Sequence, residues 1–190
     1  MSNANQMPGS SFEQRVRTES SIATYSCAIT AFTPGTNATL ICSLTQPYLP
    51  GTPFKRLALA NVRVSGQATA TSNLDVQLYK STVPPIGGTS AAQAVCQHDS
   101  GDPAPTGTVL LYSTNPTTFV GQKALRAVHL QLAAIGTQAA PIQEINWDFG
   151  DRSSRCPSAY ASGESFSLVL AGGAVPAGTV LTISWEWTEE

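Results

Sequence analysis

The sequence is poor in charged side chains and in histidine, and it contains no long apolar run. Charged residues make up only 12% of the 190, the net charge is −2, and there are two histidines. So few basic residues argue against nucleic-acid binding that works mainly through charge. The apolar fraction of 42% is in turn too high for a disordered polyelectrolyte. We therefore expect a folded globular chain whose contacts do not depend on strong charge.

Neither a membrane span nor a secretory signal is expected. No stretch approaches the 18 consecutive apolar residues that cross a bilayer as a helix. Residues 1–19 are polar overall and lack the apolar centre of a signal peptide. We expect the chain to be made and folded in the cytoplasm, without a membrane partner.

Serine, threonine, glycine and proline are abundant instead. The sequence holds 20 Ser, 21 Thr, 15 Gly and 13 Pro, unlike the Ala-, Glu-, Lys- and Leu-rich composition of helical bundles. Gly and Pro separate short stretches in which apolar and polar residues alternate, the pattern of half-buried strands. We predict eight or nine strands, in residues 21–32, 38–46, 54–65, 73–80, 108–113, 124–134, 142–149, 164–170 and 178–188.

These strands indicate an all-β fold. Strands with one apolar face bury it by packing two sheets together, and about eight strands favour an antiparallel β-sandwich of jelly-roll type. An immunoglobulin-like sandwich is the alternative, although its usual Cys…Trp…Cys spacing is missing. We expect an extended N-terminal arm in residues 1–20 and a single sandwich domain in residues 21–190. Residues 83–107 read as a long loop whose best helical candidate is residues 90–97.

Catalytic and metal-binding motifs are weak. His98 and His129 are the only bases for a Ser/His/Asp triad, and no GxSxG sequence accompanies them, so we do not expect an enzyme. Acidic residues at 98–102 and 148–151 fit either turns or a calcium site. Turn chemistry explains them without an ion, and the four cysteines lack zinc spacing, so we predict neither a metal nor a cofactor. Cys27 and Cys42 fall on neighbouring predicted strands, as buried thiols or as a disulfide.

Three residues are candidate partner contacts: Arg15, Arg17 and Trp147. Trp185 and Trp187 share the apolar face of residues 178–188 and are expected in the core, whereas Trp147 is freer to contact a partner or a sugar ring. The two arginines lie in the arm, where either of them can pair with an acidic partner surface.

A polar arm followed by hydroxyl-rich short strands and a closing strand resembles the layout of single-jelly-roll coat proteins of small icosahedral viruses. It is also similar to that of small decoration or cement proteins of virions. The resemblance implies a structural virion protein that contacts copies of itself or another capsid protein, partly through its arm. Many such arms are strongly basic, but here Glu13 and Glu19 balance Arg15 and Arg17, so genome binding through the arm is not implied.

A carbohydrate- or receptor-binding β-sandwich is the alternative function. It would use Trp147, tyrosines and the 83–107 loop as its contact surface. Jelly rolls occur in both capsid and lectin domains, so the fold class alone leaves the two functions open.

Overall fold

The computed structural model describes residues 22–46, 55–120, 123–136, 143–150 and 156–190. Within these residues all regular structure is β-strand, so the all-β prediction is confirmed. The strands are β1 (Ala23–Phe32), β2 (Leu40–Thr45), β3 (Leu57–Ala68), β4 (Ser72–Ser81), β5 (Thr89–Ala92), β6 (Cys96–Gln97), β7 (Thr108–Thr114), β8 (Lys123–Ala134), β9 (Glu144–Asp148), β10 (Ser158–Ala159), β11 (Ser165–Ala171) and β12 (Val180–Glu189).

Alternation located the nine longest strands, but it missed β5, β6 and β10. β5 and β6 lie in the segment expected to be a loop, and the candidate helix at residues 90–97 does not form. Both strands are short and largely exposed, so no apolar row marks them in the sequence. They are held extended by pairing with β7 and β1, partners that only the folded sheet supplies.

The strands form one curled sheet in the order β5-β7-β2-β11-β4-β8-β3-β12-β1-β6, with β9 and β10 also paired to β3. Every pair is antiparallel except β3–β8, which is parallel and joins only Gln67 to Ala133 and Ala68 to Ala134. This short junction divides the sheet in two. We call the part from β5 to β8 the β2 half, and the part with β3, β12, β1, β6, β9 and β10 the β12 half.

The long strands pair in a nested order. β1 pairs with β12, and moving inward along the chain β2 pairs with β11, β3 with β9 and β4 with β8. The first and third pairs lie in the β12 half, and the second and fourth lie in the β2 half. The chain therefore crosses between the halves repeatedly, so neither half is built from one contiguous segment.

Apolar side chains of both halves meet in one buried cluster. Trp185 and Trp187 of β12 are almost fully buried in it, so their prediction as core residues is confirmed. The Nε1 of Trp185 donates to the Sγ of Cys42 in β2 at 3.2 Å, which is a direct contact between the halves. The rings of Tyr25 in β1 and Trp187 pack with centroids 5.9 Å apart.

Cys27 and Cys42 belong to different halves of the sheet. β1 and β2 are not adjacent strands, so the expectation that the two cysteines lie on neighbouring strands is wrong. Both thiols are free and buried. Burial raises the pKa of Cys27 to about 11 and also raises the pKa of Cys42, which keeps both sulfurs as neutral thiols near neutral pH.

Gly66 in β3 comes directly before the two residues that join the halves. A Cβ at this position would lie 2.6 Å from Leu181 Cδ2, 2.8 Å from Val180 O and 3.1 Å from Leu132 Cδ2. The two closest of these atoms belong to β12, the neighbouring strand in the same half, and Leu132 belongs to the β2 half, so a side chain here would disturb both the β3–β12 pair and the contact between the halves.

We expect Gly66→Ala to lower the free energy of unfolding by about 1–3 kcal/mol, because the added methyl overpacks a close contact that includes backbone. Gly35→Ala is the matched control, since no atom lies within 4 Å of its added Cβ. Urea denaturation followed by tryptophan fluorescence measures both variants. Equal losses of stability in the two would contradict the tight contact at Gly66.

Candidate functional site

The outward face of the β2 half carries two rows of hydroxyls that run across its strands. Within each row, residues on adjacent strands lie directly opposite each other. In the order β4, β11, β2 and then β7, the first row is Ser81, Ser165, Thr45 and Thr108, and the second is Tyr79, Ser167 and Ser43. We call these residues the hydroxyl rows.

The centre of the hydroxyl rows is buried, whereas alternation predicts a wet face. Ser43, Ser165 and Ser167 have no exposed surface. The Oγ of Ser43 lies 3.3 Å from Thr45 Oγ1 and 3.5 Å from the Tyr112 hydroxyl. Among the described residues no imidazole or carboxylate hydrogen-bonds to these three serines, so the rows contain no base-activated nucleophile of the kind that hydrolases use.

The outward face of the β12 half is a network of amide, guanidinium and carboxylate groups. Asn61 Nδ2 donates to Asn146 Oδ1 at 2.8 Å, and Arg63 Nε donates to Asn61 Oδ1 at 3.3 Å. Glu186 of β12 lies opposite Asn61 of β3, which in turn lies opposite Asp148 of β9. This face offers donors and acceptors over three adjacent strands, which suits contact with a polar surface.

A shallow groove crosses β4 and β8, lined by Asp75, Gln77, Ala127, Val128 and His129. His129 Nδ1 pairs with Asp75 Oδ1, and the imidazole is 82% exposed. This is the only His–Asp contact of this kind in the part of the chain that the structure describes. The groove lining includes no serine, threonine or cysteine, so the histidine considered for a triad has an acidic partner but no nucleophile beside it.

The two acidic segments form turns. Asp99 Oδ1 accepts from the backbone N–H of Gly101 at 2.8 Å, next to His98. Asp148 Oδ1 accepts from the N–H of Gly150 at 2.9 Å in the same way, a common turn contact of aspartate. Among the described residues, no three His, Cys, Asp or Glu side chains are grouped to hold a metal ion.

Glu189 is a buried carboxylate that the sequence analysis missed, since the sequence shows it only as part of an acidic end. It accepts from Thr106 N at 2.9 Å, Thr106 Oγ1 at 2.7 Å, Gly107 N at 2.8 Å and Trp187 Nε1 at 3.1 Å. Lys55 Nζ lies 4.0 Å away. Charge-assisted bonds are the strong ones, so Glu189 anchors the segment before β7 to the last strand.

Tyr25 anchors the same segment from β1. Its hydroxyl donates to Pro103 O at 2.7 Å, and Gln97 Nε2 donates to the same oxygen at 2.9 Å. Burial raises the pKa of the Tyr25 phenol, with Glu189 and Asp102 adding to the effect. Its folded pKa exceeds the unfolded value near 10, so the stability linked to Tyr25 is present below pH 10 and declines above it.

Of the three predicted contact residues, one is described by the structure. Trp147 is the most exposed tryptophan, but only 8% of it is accessible and it belongs to the core cluster. The signal was in the sequence, because Ile145 and Trp147 alternate as a buried pair in β9. Arg15 and Arg17 lie outside the described residues, and their contacts remain a prediction.

An exposed apolar patch lies beyond the end of β4, at Val83, Ile86 and Val120. The carbonyl oxygens of Val83 and Val120 lie 2.7 and 2.6 Å from the Oγ of Ser81. Ile86 exchanges backbone hydrogen bonds with Thr118. These three side chains are therefore held in place by the fold.

No protein-family model, curated protein or solved structure matches the chain. Within the residues that the structure covers, no helix has the length and apolar character needed to cross a membrane.

We expect Glu189→Gln to lower the free energy of unfolding by about 2 kcal/mol, since an amide cannot accept all the bonds that the buried carboxylate accepts. Glu190→Gln is the control, because its pair with Arg56 is at the surface and contributes little. Urea denaturation gives the stabilities, and hydrogen exchange of the Thr106 and Gly107 amides reports on the anchored segment. Unchanged exchange in Glu189→Gln would refute the anchor.

We expect iodoacetamide at pH 8 to modify Cys96, which is exposed, and to spare Cys27 and Cys42 until the protein unfolds. Their raised pKa values leave little thiolate in the folded state. Because the folded pKa of Cys27 is about 11 and its ordinary value is 9.0, the associated stability declines as pH rises through this range. Peptide mass spectrometry identifies the labelled sulfurs, and rapid labelling of Cys42 in the native protein would contradict the buried core.

Proposed function

We propose that the chain is a structural virion protein: a jelly-roll-like antiparallel β-sandwich that forms or decorates an icosahedral shell. The observation that carries this proposal is the nested pairing of β1 with β12, β2 with β11, β3 with β9 and β4 with β8. Eight strands paired in this way and wrapped around one core give the two four-stranded layers of a jelly roll.

The proposed layers are β1-β12-β3-β9 and β2-β11-β4-β8. Their facing across a common core is supported by the hydrogen bond from Trp185 to Cys42 and by the apolar cluster that both halves share. The parallel β3–β8 junction would then be one corner at which the layers meet.

The outward surfaces favour contact between protein subunits. The β12 half presents amides and hydroxyls together with charges of both signs, at Arg63, Glu186 and Asp148, which suits contact with a complementary polar surface. The segment before β7 is fixed by Glu189 and Tyr25, which makes it a rigid surface with little ordering cost on contact. The proposed partners are copies of this chain or another capsid protein, in the virion, with Arg15 and Arg17 as candidate contacts.

The second candidate function is a carbohydrate- or receptor-binding module, favoured by the groove at Asp75, Gln77 and His129. A carboxylate, an amide and an imidazole beside the small Ala127 match the few convergent polar groups of ligand sites. A glycan array with wild type and Gln77→Ala tests it, and wild-type binding that Gln77→Ala abolishes would favour this module over the shell protein.

We expect the full chain, purified and concentrated, to form closed particles or to bind virions, and a variant lacking residues 1–20 to lose this property while staying folded. Extended arms add to a neighbour's sheet through main-chain hydrogen bonds, which is the reason for the expected loss. Negative-stain electron microscopy and co-sedimentation measure assembly, and urea denaturation checks the fold.

Normal assembly of the truncated chain would refute the arm's role. A full chain that neither assembles nor binds virions would refute the proposed function itself.

A further inference from the structure

One long strand edge in this sheet is left open. β8 pairs with β4 on one side, while on its other side it pairs only at Ala133 and Ala134, with β3. Among the described residues, no strand is hydrogen-bonded to the rest of that edge, although the residues that flank β9 contact it at Gln131 and Arg126. Its sequence contains no proline or glycine, the residues that usually interrupt exposed edges.

The other edges are shorter or blunted. β5 has four residues, and β9 carries the acidic Glu144 and Asp148 at its two ends. The free edge of β1 is partly covered by β6 and is bent by a bulge that contains Ala31 at φ 54°. Charges, short length and bulges are the usual means of preventing edge-to-edge pairing, so β8 is the edge best suited to accept another strand.

The backbone groups that β8 presents at this edge are those of Ala127 and His129. The N–H of Gln131 donates to Gln143 Oε1 at 2.5 Å, so it points away from β4. In an antiparallel ladder alternate residues point the same way, which directs the N–H and C=O of Ala127 and His129 outward as well. The outward C=O of Leu125 is taken by Arg126 Nη1 at 3.2 Å.

An apolar side chain is uncovered beside these groups. Val128 is 39% exposed, although Val76, which lies opposite it in β4, is fully buried. Ala127 and His129 on either side of it are exposed as well. The edge therefore combines four unpaired backbone groups with an apolar residue at their centre.

We propose that β8 pairs edge to edge with β8 of a second copy, antiparallel about a two-fold axis at Val128. Ala127 of each copy then lies opposite His129 of the partner subunit. This arrangement uses all four outward groups of each copy in N–H···O=C bonds. The two Val128 side chains lie opposite each other and cover one another. A two-fold contact of this kind is self-complementary, as isologous interfaces require.

The register follows from residues on β8. An axis at Ala127 would pair His129 with Leu125, whose C=O is already held by Arg126. An axis at His129 would pair Ala127 with Gln131, whose N–H is already held by Gln143. An axis at Val128 uses all four free outward groups of each copy. An axis at Arg126 would place two guanidinium groups opposite each other, which is unfavourable. An axis at Leu130 would need the N–H of Gln131, which Gln143 already holds. With the axis at Val128, Arg126 faces Leu130 of the partner subunit, so the guanidinium groups do not meet. Pairing ends before Ala133, which β3 already holds.

The first test is a disulfide across the axis. In a background with Cys96 and Cys156 changed to serine, Val128→Cys should form a dimer under mild oxidation, because opposite Cα atoms in a non-hydrogen-bonded pair lie about 4.5 Å apart. Thr182→Cys is the control, since it is exposed in β12 far from this edge. Crosslinking of Val128→Cys no greater than that of Thr182→Cys would overturn the proposal.

The second test removes one outward N–H. Ala127→Pro should weaken dimerisation at least about 10-fold, because two backbone hydrogen bonds are lost per dimer, whereas Ala127→Ser should dimerise like wild type. Proline is tolerated where the N–H faces away from the sheet, and an unchanged urea midpoint verifies this. Sedimentation velocity from micromolar to sub-millimolar concentration measures the dimer, and equal dimerisation of the two variants would refute the pairing.

The edge contact can form without a shell, and a shell can form without the edge contact. Dimers crosslinked at Val128 without any closed particle would support the edge contact and count against the shell. Closed particles built from subunits that do not crosslink at Val128 would support the shell and overturn the edge contact.

Discussion

Packing of apolar side chains between the two halves is the interaction on which the rest of the structure depends. Among the described residues, β3 and β8 pair at only two positions, with one further backbone bond from Ile135 to Ala68, so the sheet ladder alone would not hold the halves together. Burial provides the remainder, at roughly 25 cal/mol for each Å² of apolar surface removed from water. Two contacts show this packing between the halves. Trp185 reaches Cys42, and Gly66 leaves room for Leu132 because it has no side chain. Because the chain crosses repeatedly between the halves, strand pairing and core packing have to form together, as is usual for folds dominated by distant contacts.

Sequence patterns predicted the long strands because each carries a buried row, and a buried row has period two. They failed where structure depends on partners distant along the chain. β5 and β6 exist only because β7 and β1 offer them hydrogen bonds. Cys27 and Cys42 were placed on adjacent strands because β1 and β2 are adjacent in sequence, whereas β1 pairs with the last strand. The role of Glu189 was missed for the same reason, because its donors at Thr106 and Gly107 lie in a distant part of the sequence.

The scarcity of charge has a different origin in each half. In the β12 half, hydroxyls such as Thr182 and Ser184 lie on a partly exposed face, as the alternation predicts. In the β2 half, Ser165, Ser167 and Ser43 are fully buried although they alternate with core residues. Burying a lysine or glutamate there would be far more costly than burying a hydroxyl. Small hydroxyl residues therefore occur both on the exposed surface and in a covered outer layer. The alternation of polar and apolar residues in the sequence does not distinguish these two positions.

The low charge of the sequence also affects the strand edges that are left unpaired. Proteins commonly protect a long strand edge by placing lysine or another charge along it, and this chain has few charges to place. Arg126 in β8 is turned to stack over Phe149, 5.3 Å from its ring centroid, so it does not guard Ala127 and His129. The low charge of the sequence thus leaves the middle of the β8 edge, at Ala127 and Val128, without a charged side chain.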